Sequence, residues 1–353
     1  MKTIVEKFNE QEFDRRNFND TIKTAAQIII DGGLVAFPTE TVYGLGADAL
    51  NPQASIKIYE AKGRPCDNPL IIHIADIADL ENIVTDIPQK AKLLAAKFWP
   101  GPLTMIFPKR ECVPLETTGG LDTVAVRMPN HPIALALIKE SGGFIAAPSA
   151  NTSGKPSPTL ARHVLLDLDG RIPMILDGGP VGIGIESTIV DFSDKIPMIL
   201  RPGYITKDMI QSMIGQVIVD PGLVLDQKEE KPRAPGMRYM HYAPKAELIL
   251  VDGLQENVIV AINAFASKAK MQGKSVGIIG TDESVGYYQD AIVKSIGTRK
   301  DEDTIAKHLY GILREFDDLE VDRIYSESFA TPRIGLAIMN RLLKAAGQHI
   351  LKV

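Results

Sequence analysis

Short apolar runs, ended by Gly, Pro or a polar turn, alternate with stretches of helical period from residue 21 to residue 200. Runs of that length suit strands, and a chain that alternates the two patterns buries both apolar surfaces by laying helices on a sheet. The first repeat of the pattern is the clearest. Asn19 or Asp20 caps a helix over 21–31, with Ile22, Ala25, Ala26, Ile29 and Ile30 as its stripe, and Gly32-Gly33 ends it. Residues 34–37 form a buried strand that runs into Pro38-Thr39-Glu40-Thr41-Val42-Tyr43-Gly44-Leu45-Gly46. A loop so dense in hydroxyls and glycines at a strand end is a place to hold a ligand. Further helices are predicted over 52–61, 87–98, 131–140, 159–168 and 206–214. Strands are predicted over 70–75, 103–107, 123–128, 144–147, 174–176, 187–192 and 197–200. The first half alternates and strands then dominate, which predicts an α/β fold: a twisted mixed sheet with helices on its faces.

After Pro221 the pattern breaks. Residues 226–235 are charged, poor in apolar side chains and interrupted by Pro, the composition of a linker. Residues 236–244 are too aromatic for an inert tether. From residue 246 a second alternation begins, with strands over 247–251, 275–279, 293–296 and 323–326 and helices over 257–270, 304–316 and 334–346. That is a smaller, Rossmann-like α/β domain. Since single cores stop growing near ~250–300 residues, a chain of 353 is read as two domains: 1–203, a linker 204–245, and 246–353. The net charge of -5 argues against a general nucleic-acid coat protein. Cys66 and Cys112 have no metal-ligand spacing and make no disulfide framework, so a reducing compartment fits. Residues 1–17 are charged and lack a signal-peptide core, and no apolar run approaches the ~18 residues of a membrane span. The expected location is cytoplasmic.

Lys62-Gly63-Arg64-Pro65 places two cations one residue apart at a helix end. Such a pair is ordinarily a solvated face, but Gly63 admits close backbone approach, and an Arg fork beside a Lys point charge suits a polyphosphate. Pro148-Ser149-Ala150-Asn151 puts a hydroxyl and an amide beside one another, as turn formers or as hydrogen bonders to a ligand. Ser157 or Thr159 reads as the cap of the next helix. His73 on an apolar strand is ordinarily a satisfied core residue, and Arg127 ends a strand where it could grip a carboxylate. The Gly-rich stretch 177–188 is neither a Walker loop nor a dinucleotide fingerprint. Gly277-Ile278-Ile279-Gly280-Thr281 reads as an ordinary βα turn. With no Gly-x-Ser-x-Gly motif and no His/Cys/carboxylate cluster, the chemistry looks like electrostatic positioning.

Taken in order, Phe37 to Leu45, Lys62-Gly63-Arg64-Pro65, Asn68-Pro69-Leu70, Trp99-Pro100-Gly101-Pro102-Leu103-Thr104, Val126-Arg127-Met128-Pro129, Pro148-Ser149-Ala150-Asn151 and Glu186-Ser187-Thr188-Ile189-Val190-Asp191 resemble the YrdC-like domain. With Pro235-Gly236-Met237-Arg238-Tyr239, His241-Tyr242-Ala243-Pro244 and the small domain after them, nearly the whole chain resembles the long, two-domain threonylcarbamoyladenylate synthases. The resemblance implies a nucleotidyltransferase that turns L-threonine, bicarbonate and ATP into threonylcarbamoyl-AMP and pyrophosphate. A downstream threonylcarbamoyl-transferase complex would then modify the adenosine next to the anticodon of tRNA. By motif position it implies that Thr41, His73, Arg127, Ala147 and Ser187 bind threonine. Arg64, Asn68, Thr123, Ser149, Ser157, Arg201 and Tyr242 would bind ATP, with Tyr239 the lesser candidate for the linker tyrosine. Lys62, Arg64, Ser149 and Asn151 would form the catalytic set, holding charge while the substrate's own carbamate attacks the α-phosphorus. Mg²⁺ would ride on phosphate oxygens and water, with no protein metal site, and the linker would close over the pocket to exclude water. A weak tRNA contact is among the expectations. The alternatives are a non-catalytic double-stranded RNA or tRNA-binding module, which the acidic balance disfavours, and a carbamoyltransferase domain of a larger enzyme, whose other segments this chain lacks.

Overall fold

The structure is a computed structural model that describes residues 2–8, 15–223, 233–235, 242–329 and 332–353. It divides into two compact units. Met1–Ser153, Ser157–Gly182 and Glu186–Arg238 make the first, and Tyr239–Val353 with the tripeptides Gly154–Pro156 and Ile183–Ile185 makes the second.

The first unit is built on one mixed sheet that holds eleven strands among the described residues. In chain order they are β1 (Ile4–Lys7), β2 (Val35–Phe37), β3 (Gly44–Asp48), β4 (Ile71–His73), β5 (Leu103–Pro108), β6 (Thr123–Arg127), β7 (Ile145–Ala146), β8 (Met174–Asp177), β9 (Thr188–Asp191), β10 (Met198–Arg201) and β11 (Ile218–Val219). Across the sheet the order is β1-β8-β2-β3-β7-β4-β6-β5-β9-β10-β11. Parallel pairs such as β4 with β6 alternate with antiparallel ones such as β5 with β6, as the mixed strand pattern predicts. The helices are α1 (Arg15–Ile30), α2 (Pro52–Lys62), α3 (Leu80–Ile83), α4 (Gln89–Phe98), α5 (Leu115–Thr118), α6 (Pro132–Glu140), α7 (Ala161–Leu168) and α8 (Lys207–Ile214).

Alternation along the strands decides which face carries the site. Ile72, Val124, Val126, Met105 and Val190 point into the large core beneath α2 and α4. Their neighbours Ile71, Ala125, Ile106 and Ile189 point to the other face, where they form a smaller cluster with Leu200 and Ala234. Thr123, Arg127, His73 and Thr104 share that second face by the same two-residue period.

Several local expectations are corrected. α1 starts at Arg15, so Asn19 and Asp20 lie inside the helix, and Thr24 bonds back to the Asp20 carbonyl. Ile22, Ala25, Ala26 and Ile29 are buried, but Ile30, the last residue of the helix, is 52% exposed. The loop read over 38–46 is shorter: Gly44–Asp48 pairs with β2 and becomes β3, its glycines leaving room for the Phe37 ring. The charged N-terminus holds an edge strand, β1, paired with β8. Neither Ser157 nor Thr159 caps α7, whose cap position is Leu160, because both hydroxyls have partners elsewhere.

The second unit carries a five-stranded parallel sheet in the order β14-β13-β15-β12-β16. Its strands are β12 (Glu247–Asp252), β13 (Val276–Gly280), β14 (Ile292–Ser295), β15 (Arg323–Glu327) and β16 (Ile350–Lys352), with helices α9 (Gln255–Met271), α10 (Glu302–Asp318) and α11 (Gly335–Ala345). Four of these strands and all three helices are those the periodicity predicts, and β16 is the addition. The Gly277–Thr281 stretch ends in a 3-10 turn at Val285–Tyr287 rather than a helix N-terminus, so it is an ordinary turn.

Candidate active site

Register assembles the site. His73 on β4 stands opposite Arg127 on β6, Arg127 opposite Thr104 on β5, Thr104 opposite Ile189 on β9, and Ile189 opposite Arg201 on β10. Directly opposed residues face the same side of a sheet. One lateral row therefore gathers positions 73, 104, 127 and 201, which no sequence window contains.

Arg127 is the centre of the row and is buried. Its Nη1 donates to Thr41 Oγ1 at 2.9 Å, its Nε to the Gly101 carbonyl at 3.4 Å, and its Nη2 lies 2.7 Å from Glu40 Oε2. The loop that brings Thr41 there is folded by its own hydroxyls. Thr39 Oγ1 donates to the Val42 carbonyl and accepts from the Thr41 and Val42 amides. Tyr43 fastens the loop's far end by donating to the Gly179 carbonyl at 2.7 Å. Burial first, and the Asp177 carboxylate second, push the Tyr43 phenol far above its ordinary range, so it acts there only as a neutral donor.

His73 is fully buried beside Arg127, with Nδ1 3.1 Å from the Ile71 carbonyl. Burial, and then the Arg127 charge, lower its pKa to about 3. Its imidazole is therefore neutral near pH 7. Ser187 Oγ lies 2.7 Å from Thr104 Oγ1 and accepts from Arg201 Nη2 at 3.2 Å, while Arg201 Nε donates to the Ser187 carbonyl at 3.0 Å.

The second group of site residues forms around α2. Asn51 caps the helix start, and Gly63, at φ 60°, closes its end with amides of Gly63 and Arg64 returned to the Glu60 and Tyr59 carbonyls. That left-handed turn is why Gly separates the two cations: it sends Lys62 inward and Arg64 along the following loop. Lys62 is buried, and its ammonium donates to the Ser149 carbonyl and, at 2.5 Å, to the Asn151 carbonyl. It thus fastens the Pro148–Asn151 segment. Arg64 bonds to the Asn68 and Pro69 carbonyls, and the buried Asn68 Oδ1 has no hydrogen-bond donor. Ser149 Oγ donates to Asn151 Oδ1 at 2.6 Å. The amides and carbonyls of residues 148–150 bond to residues 43–45, which joins this group to the Thr41 loop, and Ala147 bonds to the Ile71 carbonyl next to His73's strand position.

Of the other predicted site residues, Thr123 opens β6 on the site face and Ser157 donates to the buried Glu186 at 2.6 Å. Tyr242 belongs to the second unit, is buried at φ 68°, and stacks on Tyr310 with ring centroids 5.2 Å apart. Tyr239 lies outside the described residues. Two positions that the sequence did not single out, Glu40 and Thr104, stand against Arg127 and Ser187. Both sat inside quoted motifs, and Thr104 also broke an apolar strand with a polar residue on the site face. The linker reading of 226–235 is corrected at its end: Ala234 is buried against Ile71, Ala125 and Ile189, Arg201 Nη1 donates to the Pro235 carbonyl at 3.3 Å, and Arg233 pairs with Asp191. Cys66 and Cys112 are free and exposed. Among the described residues, no group of three or more His, Cys, Asp or Glu could hold a metal ion, and no helix is long and apolar enough to cross a membrane.

A family profile described as Telomere recombination matches residues 27–203, and one described as Threonylcarbamoyl-AMP synthase, C-terminal domain, matches residues 205–347. The chain is 53% identical over 341 residues to a threonylcarbamoyl-AMP synthase of Bacillus subtilis, covering 96% of this chain and 97% of that protein. It is 51% identical to a protein of the same name from Pyrococcus abyssi, over 94% of this chain and 96% of that one. A solved structure described as P. abyssi Sua5 complexed with L-threonine matches with a TM-score of 0.92 and 46% identity over 100% of both chains. With likeness of this extent over nearly the full length, the chain belongs to the threonylcarbamoyl-AMP synthase family in its two-domain form.

Proposed function

We propose that this chain makes L-threonylcarbamoyl-AMP and pyrophosphate from L-threonine, bicarbonate and ATP. The observation that carries the reading is the row on the sheet face: a buried guanidinium beside a neutral imidazole and paired hydroxyls, next to the Lys62 and Arg64 turn. Arg127, Thr41, His73, Ala147 and Ser187 are assigned to threonine, the guanidinium taking its carboxylate. Arg64, Asn68, Thr123, Ser149, Ser157 and Arg201 are assigned to ATP. The Asn68 Oδ1, buried without a donor, favours this, because an adenine amino group or a ribose hydroxyl would satisfy it. The assignment of Tyr242 to the nucleotide rests on motif position alone. Lys62, Arg64, Ser149 and Asn151 stabilise charge on the phosphates as the substrate's carbamate oxygen displaces pyrophosphate. Lys62 does so while holding the Ser149 and Asn151 carbonyls in place.

The site residues offer cations and hydroxyls rather than a carboxylate cage, so Mg²⁺ would be held by phosphate oxygens and water, where it neutralises charge. Residues 204–219 are not part of a lid, since α8 and β11 pack into the first unit's sheet and core. The end of the linker, residues 233–235, helps keep water from the carbamate, a role favoured by the packing of Ala234 and Pro235 on the site face. The product serves a downstream threonylcarbamoyl-transferase complex acting on tRNA, with at most a weak direct tRNA contact, in the cytoplasm. Purified protein with Mg²⁺-ATP should release pyrophosphate only when threonine and bicarbonate are both present. Release independent of either one, or none at all, overturns the reading.

A further inference from the structure

We infer that Glu40 binds the α-ammonium of the amino-acid substrate and makes the pocket selective for a zwitterion. The inference rests on the threonine assignment of Arg127 made above. Glu40 precedes Thr41 in the loop that meets Arg127, and its Oε2 lies 2.7 Å from Arg127 Nη2. The two groups touch as an ion pair, yet neither completes a hydrogen bond there: Arg127 Nη2, Glu40 Oε1 and Glu40 Oε2 are all buried polar atoms without a hydrogen-bond partner. His131 Nδ1, whose ring lies close enough to feel the Glu40 charge, is a fourth such atom. Buried polar atoms are rarely left so, because each forfeits its hydration without recompense.

Unused donors on a guanidinium directly beside unused acceptors on a carboxylate are complementary to a ligand that carries an acceptor and a donor side by side. An α-amino acid is such a ligand. Its carboxylate would complete the Arg127 fork, and its ammonium would supply the N–H groups that Glu40 lacks. The other partners that the described residues give Arg127 are neutral, the Thr41 hydroxyl and the Gly101 carbonyl, and Glu40 is the charged group paired with it. His73 is neutral and bonded to the Ile71 carbonyl, so it contributes no competing charge at the amine. A pocket of this kind would reject an α-unsubstituted hydroxy acid even where the carboxylate and hydroxyl contacts are intact, because Glu40 would then stay buried, charged and without a donor.

The test compares L-threonine with 3-hydroxybutyrate, which keeps the carboxylate and the hydroxyl and lacks the amine, by calorimetric binding to the full chain. Wild-type protein should bind threonine more tightly by about tenfold to a hundredfold, the range of a charge-assisted hydrogen bond. Glu40→Gln should raise the threonine KM by a similar factor, leave the ATP KM unchanged and narrow the discrimination, and Glu40→Asp should restore part of it. Equal wild-type affinity for the two ligands overturns the inference even if no variant folds. So does a Glu40→Gln enzyme with unchanged or tighter threonine binding, which would instead make Glu40 a competitor for the Arg127 fork. Absence of threonine-dependent pyrophosphate release by wild-type protein would strike the proposed reaction, whereas the two binding arms read the ammonium contact directly.

Discussion

Arg127 is held from three sides by Thr41, Gly101 and Glu40, so its fork is fixed before any ligand arrives. A preset guanidinium costs little side-chain entropy on binding, which a flexible ammonium does not match. Arg127→Lys should therefore raise the threonine KM by about tenfold or more while the ATP KM stays within about twofold, measured by pyrophosphate release. His73 gives a stability prediction. Its folded pKa of about 3 lies below the ordinary value of 6.5, so the unfolded chain binds more protons between those values. Stability is unaffected by His73 above about pH 6.5 and falls as the pH drops toward 3. His73→Gln should flatten that loss, by on the order of 1–2 kcal/mol at pH 5, in urea titrations at pH 5 and pH 7.5. Equal slopes in both proteins would remove His73 as the cause.

At the scale of elements, glycines set how closely the site's strands approach. A Cβ on Gly203, just past β10, would lie 2.5 Å from the Thr188 amide nitrogen and 2.8 Å from the Glu186 carbonyl. Backbone cannot yield as a side-chain tip does, so Gly203→Ala must shift the start of β9, where Ser187 meets Thr104 and Arg201. The expected cost is about 1–3 kcal/mol in denaturant midpoint, with a raised threonine KM. The end of the linker is the other element with a defined task. Ala234 is fully buried on the site face, and Ala234→Asp would place an unpaired carboxylate against Ile71 and Ile189. The segment should lift away, lowering kcat by about tenfold or more with little change in the melting of the sheet. An unchanged kcat would refute a role for residues 233–235 in closure.

The chain divides into two compact units. Among the described residues, three apolar clusters lie within the first unit and a further one, from Ile249 to Tyr325, lies within the second. A chain ending at Pro244 should accordingly keep a cooperative unfolding transition. Its activity should suffer more than its fold, because the tripeptides 154–156 and 183–185, which directly precede Ser157 and Glu186, group with the second unit and would lose their neighbours. Wild-type kinetics in the truncated enzyme would show that the second unit has no part in turnover.

Most helices and strands were legible because their signals are local. The Gly32-Gly33 stop, the Lys62-Gly63-Arg64 turn and the two-residue period of β6 are all written within a few neighbouring residues. The misses were also local in cause: β1 is a charged edge strand with no period to read, and β3 hides among glycines whose value lies in the space they leave for Phe37. Motif resemblance could name Thr41, His73, Arg127 and Ser187, but not say how they meet. By itself the sequence determined most of the segments that fold as helix or strand and that two α/β units follow one another along the chain, while α8 and β11, read as linker, belong to the first unit. The tertiary structure alone decided that His73, Arg127, Thr104 and Arg201 form one row, that Lys62 fastens the Ser149 and Asn151 carbonyls, and that Glu40 faces Arg127. The reason is that strand register joins positions up to a hundred and more residues apart, and it is set by the packing of the whole sheet rather than by any window along the chain.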